Sequence, residues 1–158
     1  MKITARLVEG LATGGYIGRI PVAPGTFGTL PGILFYVWLS GRPLTVAFLV
    51  LMGLIIAAVW AAGRAETLLA QHDPGSIVID EIAGMATAFF AVPFHLSLMI
   101  TGFIVFRVLD IAKPFPISLA DRRLTGGVGV VADDVLAGIF TNILLQVLVR
   151  VFYAPAPV

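Results

Sequence analysis

Five of the nine acidic residues of this chain fall in three tight places: Asp80 with Glu81, Asp110 alone, and Asp133 with Asp134. All five abut long apolar stretches. A carboxylate at a bilayer edge is expensive unless it is paired, solvated or bound to a cation. Adjacent carboxylates worsen the cost, because each raises the pKa of the other. A divalent cation removes that repulsion. Hard cations such as Mg²⁺ prefer oxygen ligands, usually one or two carboxylates completed by water and substrate phosphate. The five acids are therefore candidate metal ligands and candidate catalytic groups. Capping is the plainer alternative, since helix starts favour Asp and the helix dipole favours acid there. Two acid pairs plus Asp110 in one short apolar chain tip the reading towards a metal site. The chain has no Cys, which excludes thiolate ligands, disulfides and Cys nucleophiles together.

Arg107, Asp110 and Lys113 recur at three-residue spacing, within an arc of about 120° on a helix. Pro114 follows and disfavours the helical region at Lys113. Such a helix end offers two cations around a carboxylate, and Arg107 and Lys113 could hold a phosphoryl group. The alternative is an Arg107–Asp110 salt bridge with Lys113 snorkelling to the interface. Gly126-Gly127-Val128-Gly129 precedes Asp133, and backbone N–H groups of a glycine loop around Gly127 could cradle an anion; a plain flexible loop is the competing reading. Thr26 and Thr29, in Pro24-Gly25-Thr26-Phe27-Gly28-Thr29, could cap the first helix or contact a phosphate or hydroxyl. His72, His95 and Asp73 read as loop or turn residues. Asp121, beside Arg122 and Arg123, reads as a surface pair.

The charges also delimit the elements. Uncharged runs cover 20–41, 43–63, 82–106 and 135–149, of 22, 21, 25 and 15 residues. A spanning helix needs about 20 apolar residues, and backbone groups in lipid must be satisfied internally, so these runs predict helices. Proline and glycine interrupt the first run, leaving its firm helical part at about Leu30 to Leu39. Leu44 to Ala62 is the cleanest transmembrane helix. Asp73 to Ser76 is a turn, and Ile77 to Ile79 is either a helical lead-in or extended. The third run is either one span or two half-length helices, Ile82 to Ala91 and Leu96 to Leu109, broken around Pro93. Basic residues favour cytoplasmic loops. Only the re-entrant pair puts the basic segment 107–134 on the side of the basic N-terminus, so that arrangement is preferred. The last helix is expected from about Asp133 to Phe152, with a frayed tail after it. One local echo stands out: Asp80 to Gly84 and Asp134 to Gly138 share Asp, any residue, aliphatic, Ala, Gly. Each would place an Asp at a helix start and a Gly four residues on, where another helix could approach closely.

The composition agrees. Hydrophobic residues make up 59% and charged residues 12%, with mean hydropathy +1.03. A soluble domain carries roughly 25% charge, so most of this surface cannot face water. The length suits one domain, 1–158. Ten scattered basic residues do not make a nucleic-acid-binding face, and no cleavable signal peptide is evident. The expected fold is an all-α polytopic membrane bundle with short, partly re-entrant helices. A metal-dependent enzyme, an ion or metal transporter and an inert scaffold compete for the function. A transporter wants acids near mid-membrane, and a scaffold has no use for five costly carboxylates.

Four blocks carry a resemblance. They are Pro24 to Thr29, Gly75 to Met85, Phe106 to Ile117 and Gly126 to Asp134. In this order, and over nearly the whole chain, they are similar to the bacterial phosphatidylglycerophosphatase A family. The resemblance implies an all-helical Mg²⁺-dependent lipid phosphatase of the cytoplasmic membrane. Such an enzyme would convert phosphatidylglycerophosphate to phosphatidylglycerol and inorganic phosphate. The basic segments at the N-terminus and 107–134 would face the active site of this multi-pass fold to the cytoplasm. No Asp-x-Asp-x-Thr motif is present, so attack by water is preferred to an aspartyl nucleophile, and the base is left unassigned. A phosphatidyltransferase is disfavoured because its long spaced Asp-Gly motif is missing.

Overall fold

The computed structural model describes residues 2–71 and 74–153, and all regular structure among them is helical. His72, Asp73 and the tail from 154 lie outside the described residues. The order is α1 (Lys2–Ala12), a 3-10 turn (Ile17–Arg19), α2 (Pro24–Leu39), α3 (Leu44–Leu69), α4 (Ile79–Ala88), α5 (Leu96–Ala112), α6 (Ile117–Arg123) and α7 (Gly126–Leu148), which ends in a π-turn (Val149–Tyr153). The Phe115–Pro116 peptide is cis.

Two stretches are long and apolar enough to cross a membrane, Leu44–Leu69 and Gly126–Tyr153. Only 22% of each apolar window is buried within the protein, so neither is the core helix of a water-soluble domain. Ile56 and Ile111 are each 70% exposed, and Phe115 is 80% exposed. Such an outer surface calls for lipid.

Short α4 lies at the centre, between two apolar clusters. One gathers Val8 of α1, Ala58 and Ala62 of α3, Ile82 of α4 and Val131 of α7. The other gathers Tyr36, Met85, Phe89, Phe106 and Leu145. Small residues set the closest approaches. A Cβ on Gly84 would lie 2.6 Å from the Asp134 carbonyl oxygen, and one on Gly138 would lie 2.3 Å from the Gly84 carbonyl oxygen. The echo in the sequence thus marks the α4–α7 crossing, where each motif's glycine receives the other helix.

The expected helix boundaries shift in three places. α2 begins at Pro24, six residues before Leu30, and runs through Pro31. Packing overrides propensity there: Gly32 fits where a Cβ would meet Met85 Cβ at 2.6 Å. α3 continues beyond Ala62 to Leu69. α7 begins at Gly126 rather than Asp133. The glycine run is therefore the helix's first turn and not a loop. Gly127 is pressed against α3, where a Cβ would lie 1.9 Å from the Val59 carbonyl oxygen. Ile77 and Val78 are non-helical, and the Val78 N–H donates to the Ala12 carbonyl at 2.9 Å.

The third uncharged run doubles back. Glu81 and Arg107 flank it, yet Arg107 Nη1 lies 3.9 Å from Glu81 Oε1. A single crossing cannot bring its ends together. The break frees backbone carbonyls, and side chains from other helices take them up. Asn142 Nδ2 donates to the Ala88 and Phe90 carbonyls at 3.0 and 2.7 Å. Gln146 Nε2 donates to Ala91 at 3.1 Å. Tyr36 Oη donates to the Pro93 carbonyl at 2.6 Å and accepts from the His95 N–H at 3.2 Å. His95 thus belongs to the turn. Backbone that is not helical survives at membrane depth only when satisfied in this way. Asn142→Leu should lower stability by about 1–3 kcal/mol, the cost of stranding buried acceptors. Thermal unfolding in detergent would show it, and an unchanged midpoint would contradict the bracing role.

Candidate active site

The hairpin brings both of its ends to one place. Asp80 and Glu81 lie in the first turn of α4, where the helix dipole favours acid. Neither caps it: Val78 is the N-cap residue and no side chain bonds there. Asp110 comes from the last turn of α5, and Asp134 from the third turn of α7. Ligand oxygens of Asp80, Glu81 and Asp134 all lie within 4.8 Å of one another. Asp110 lies beside them, close enough to Asp134 for the two carboxylates to interact. Arg107 Nη1 pairs with Asp110 Oδ2 at 2.5 Å, so the expected salt bridge forms. It leaves the Arg107 Nε buried without a hydrogen-bond partner among the described residues.

Asp133 and Asp134 part company. Successive helical residues point about 100° apart, so Asp134 faces the acids while Asp133 faces Lys113. Lys113 Nζ lies 2.6 Å from Asp133 Oδ2 and 2.5 Å from Asp121 Oδ1. The expected five-acid cluster is thus four acids with Arg107, beside a second group of Lys113, Asp133 and Asp121. Lys113 ends α5 in a left-handed conformation, φ 42°, and is clamped rather than snorkelling. Burial alone would lower its pKa, but the hydrogen bonds to Asp121 and Asp133 outweigh burial and raise it. Among the described residues, exposed Asp121 pairs with Lys113 rather than with Arg122 or Arg123, and so ties α6 to the end of α5. Nor are Asp133 and Asp134 at a helix start, because α7 begins at Gly126.

Gly25 is the residue that spacing arguments missed. A Cβ there would lie 2.1 Å from Glu81 Oε1 and 3.2 Å from Arg107 Nη2. The N-terminus of α2 therefore sits directly on the site. The available signal was a glycine beside Pro24, inside a helix start, with no turn to require it. Thr26 lies one residue on and is half-buried. Buried Thr29 donates its hydroxyl to the Thr26 carbonyl at 2.7 Å. It braces α2 from within, and neither threonine is the N-cap, which is Ala23.

Four carboxylates facing one guanidinium are short of positive charge. Glu81 Oε2 and Asp134 Oδ1 are buried with no hydrogen-bond partner among the described residues. Buried acceptors are normally satisfied. Hard oxygen donors with open lone pairs fit a divalent cation such as Mg²⁺. The arrangement can hold a cation between acids and present a guanidinium to a phosphate.

The family model described as phosphatidylglycerophosphatase A matches residues 10–149. A protein of that name from Escherichia coli (strain K12) is 37% identical over 132 residues, covering 83% of this chain and 77% of the relative. Its Haemophilus influenzae namesake is 36% identical over 137 residues, covering 85% and 84%. A Bacteroides thetaiotaomicron protein named "Putative phosphatidylinositol-3-phosphatase" is 34% identical over 155 residues, covering 93% and 96%. No solved structure matches. All three relatives are named as phosphatases, and none supports the transporter reading. With a family model spanning the site's four blocks and relatives aligned over most of their length, the chain belongs to the phosphatidylglycerophosphatase A family.

Proposed function

We propose that this single membrane-embedded domain removes the terminal phosphate of phosphatidylglycerophosphate, with Mg²⁺, at the cytoplasmic face of a bacterial inner membrane. The observation that carries the reading is the convergence of Asp80, Glu81 and Asp134, oxygens within 4.8 Å, beside Arg107. Asp80, Glu81 and Asp134 would hold the cation, with Asp110 next to them. When bound, it supplies Lewis-acid neutralisation of the phosphoryl charge. Arg107 grips phosphoryl oxygens and is aimed by Asp110 and Glu81. Gly25 leaves room for the phosphate between α2 and Arg107, with Thr26 at its edge. A cluster carboxylate orients the attacking water and takes its proton. Lys113 and Asp133, paired with each other, support this wall of the site.

Depth suits a lipid headgroup. Asp134 to Tyr153 rises about 28 Å along α7, close to the ~30 Å hydrocarbon core. With Tyr153 at one boundary the acids lie at the other, and the acyl tails stay in the bilayer. The N-terminus, α6 and the hairpin ends share that boundary, whose Lys and Arg content supports cytoplasmic placement in a multi-pass chain.

Purified protein in mixed vesicles should release phosphate from phosphatidylglycerophosphate. Chelation should stop release and Mg²⁺ should restore it. Phosphatidylinositol 3-phosphate belongs in the same assay because of the Bacteroides relative's name. Release that is indifferent to chelation would refute the metal, and release only from the inositol lipid would refute the substrate.

A further inference from the structure

A groove of about 480 Å³ runs between α1 and α3, on a side of the bundle that contributes nothing to the acidic site. Thr4 and Val8 of α1 line it with Trp60, Arg64, Thr67 and Leu68 of α3. α1 is held on α3 by Val8 and Ala12, buried against Ala58, Ala61 and Ala65. Its Leu7 and Leu11 remain exposed.

Arg64 is exposed, and it forms no ion pair among the described residues. The nearest acid in sequence, Glu66, is turned about 200° away around the helix. Depth gives the groove its setting. Leu44 to Arg64 rises about 30 Å along α3, one hydrocarbon thickness. At the opposite end Arg42 stacks on Trp38, 5.3 Å from the ring centroid. Trp60 stands one turn from Arg64. Tryptophan and arginine thus mark both boundaries, as expected at membrane interfaces. The groove opens at headgroup level, with a guanidinium that has no ion pair among the described residues above an apolar wall.

We infer that this groove binds an anionic phospholipid as a bound partner rather than as substrate, its phosphate on Arg64 and an acyl chain along Trp60 and Val8. A zwitterionic lipid offers Arg64 the same phosphate but adds a cation that offsets it. The inference rests on the bilayer placement and not on the phosphatase reading.

The chain's two tryptophans allow a direct test. In W38F only Trp60 emits; in W60F only Trp38 does. Each variant is placed in vesicles containing acyl-brominated phosphatidylglycerol or brominated phosphatidylcholine at equal mole fraction. Trp60 should show about fivefold preference for the anionic quencher, the size one Arg supplies at an anionic surface. W38F/R64Q should lose the preference and W38F/R64K should keep it, with lipid phosphatase turnover in detergent unchanged in both. Trp38, beside Arg42 at the opposite boundary, should be quenched by both lipids whatever stands at position 64. Equal quenching of Trp60 by both lipids, or a preference that survives in R64Q, would overturn the site. Absence of any Trp38 quenching would instead overturn the bilayer placement.

Discussion

Asp134→Asn should lower phosphatidylglycerophosphate turnover by about a thousandfold, the scale of losing one preorganised electrostatic contact at a reacting centre. The substitution preserves shape, so its effect reads charge and ligand quality alone. Asp134 is nearly inaccessible, with a buried oxygen that nothing among the described residues satisfies. If its task is to share a cation with Asp80 and Glu81, an amide is a poor replacement. The stability readout should move the other way. Removing one of several mutually repelling carboxylates should leave the unfolding midpoint in chelator unchanged or higher. Asp80→Asn should behave alike. Full activity in either variant would end the case for a shared cation; loss of activity together with loss of folding would point to structural acids.

The second large effect concerns packing rather than charge. Gly138→Leu should reduce activity at least about a hundredfold, as expected when reacting groups are displaced by about 1 Å. It should also lower stability by about 1–3 kcal/mol through overpacking. A Cβ at Gly138 meets the Gly84 carbonyl oxygen at 2.3 Å and the Thr87 Cβ at 3.0 Å. The only relief is to push α4 off α7, and that motion separates Asp80 and Glu81 from Asp134. Gly53→Leu in α3 is the control, because nothing lies within 4 Å of a Cβ there. A Gly138→Leu enzyme as active and as stable as Gly53→Leu would show that the crossing does not set the site.

Much of this was legible in the sequence, for identifiable reasons. Charges at the ends of apolar runs located the helices, because lipid tolerates neither free charge nor unpaired backbone. Pro93 located the hairpin break. The paired Asp-to-Gly motifs marked where another helix could approach closely; that each receives the other's helix is visible only in the fold. What spacing could not show was direction across the bundle. Asp133 and Asp134 look equivalent in sequence, yet a 100° turn sends them to different partners. Asp121 looked like a neighbour of Arg122 because its true partner, Lys113, is reached only after α6 folds back. Gly126 to Gly129 suggested a loop because glycine disfavours helix. Contact with α3 at Gly127 reverses that preference, and with it the expected start of α7.

The carboxylates gather at one end of the bundle, and this polarity limits what the enzyme can see. With the chain placed as proposed, a substrate molecule in the opposite leaflet keeps its phosphate about 30 Å from Arg107, behind an uninterrupted hydrocarbon layer. Dephosphorylation would then be confined to the monolayer facing the acids. The product would enter that monolayer alone, so supplying the other one would fall to a separate transbilayer movement of lipid.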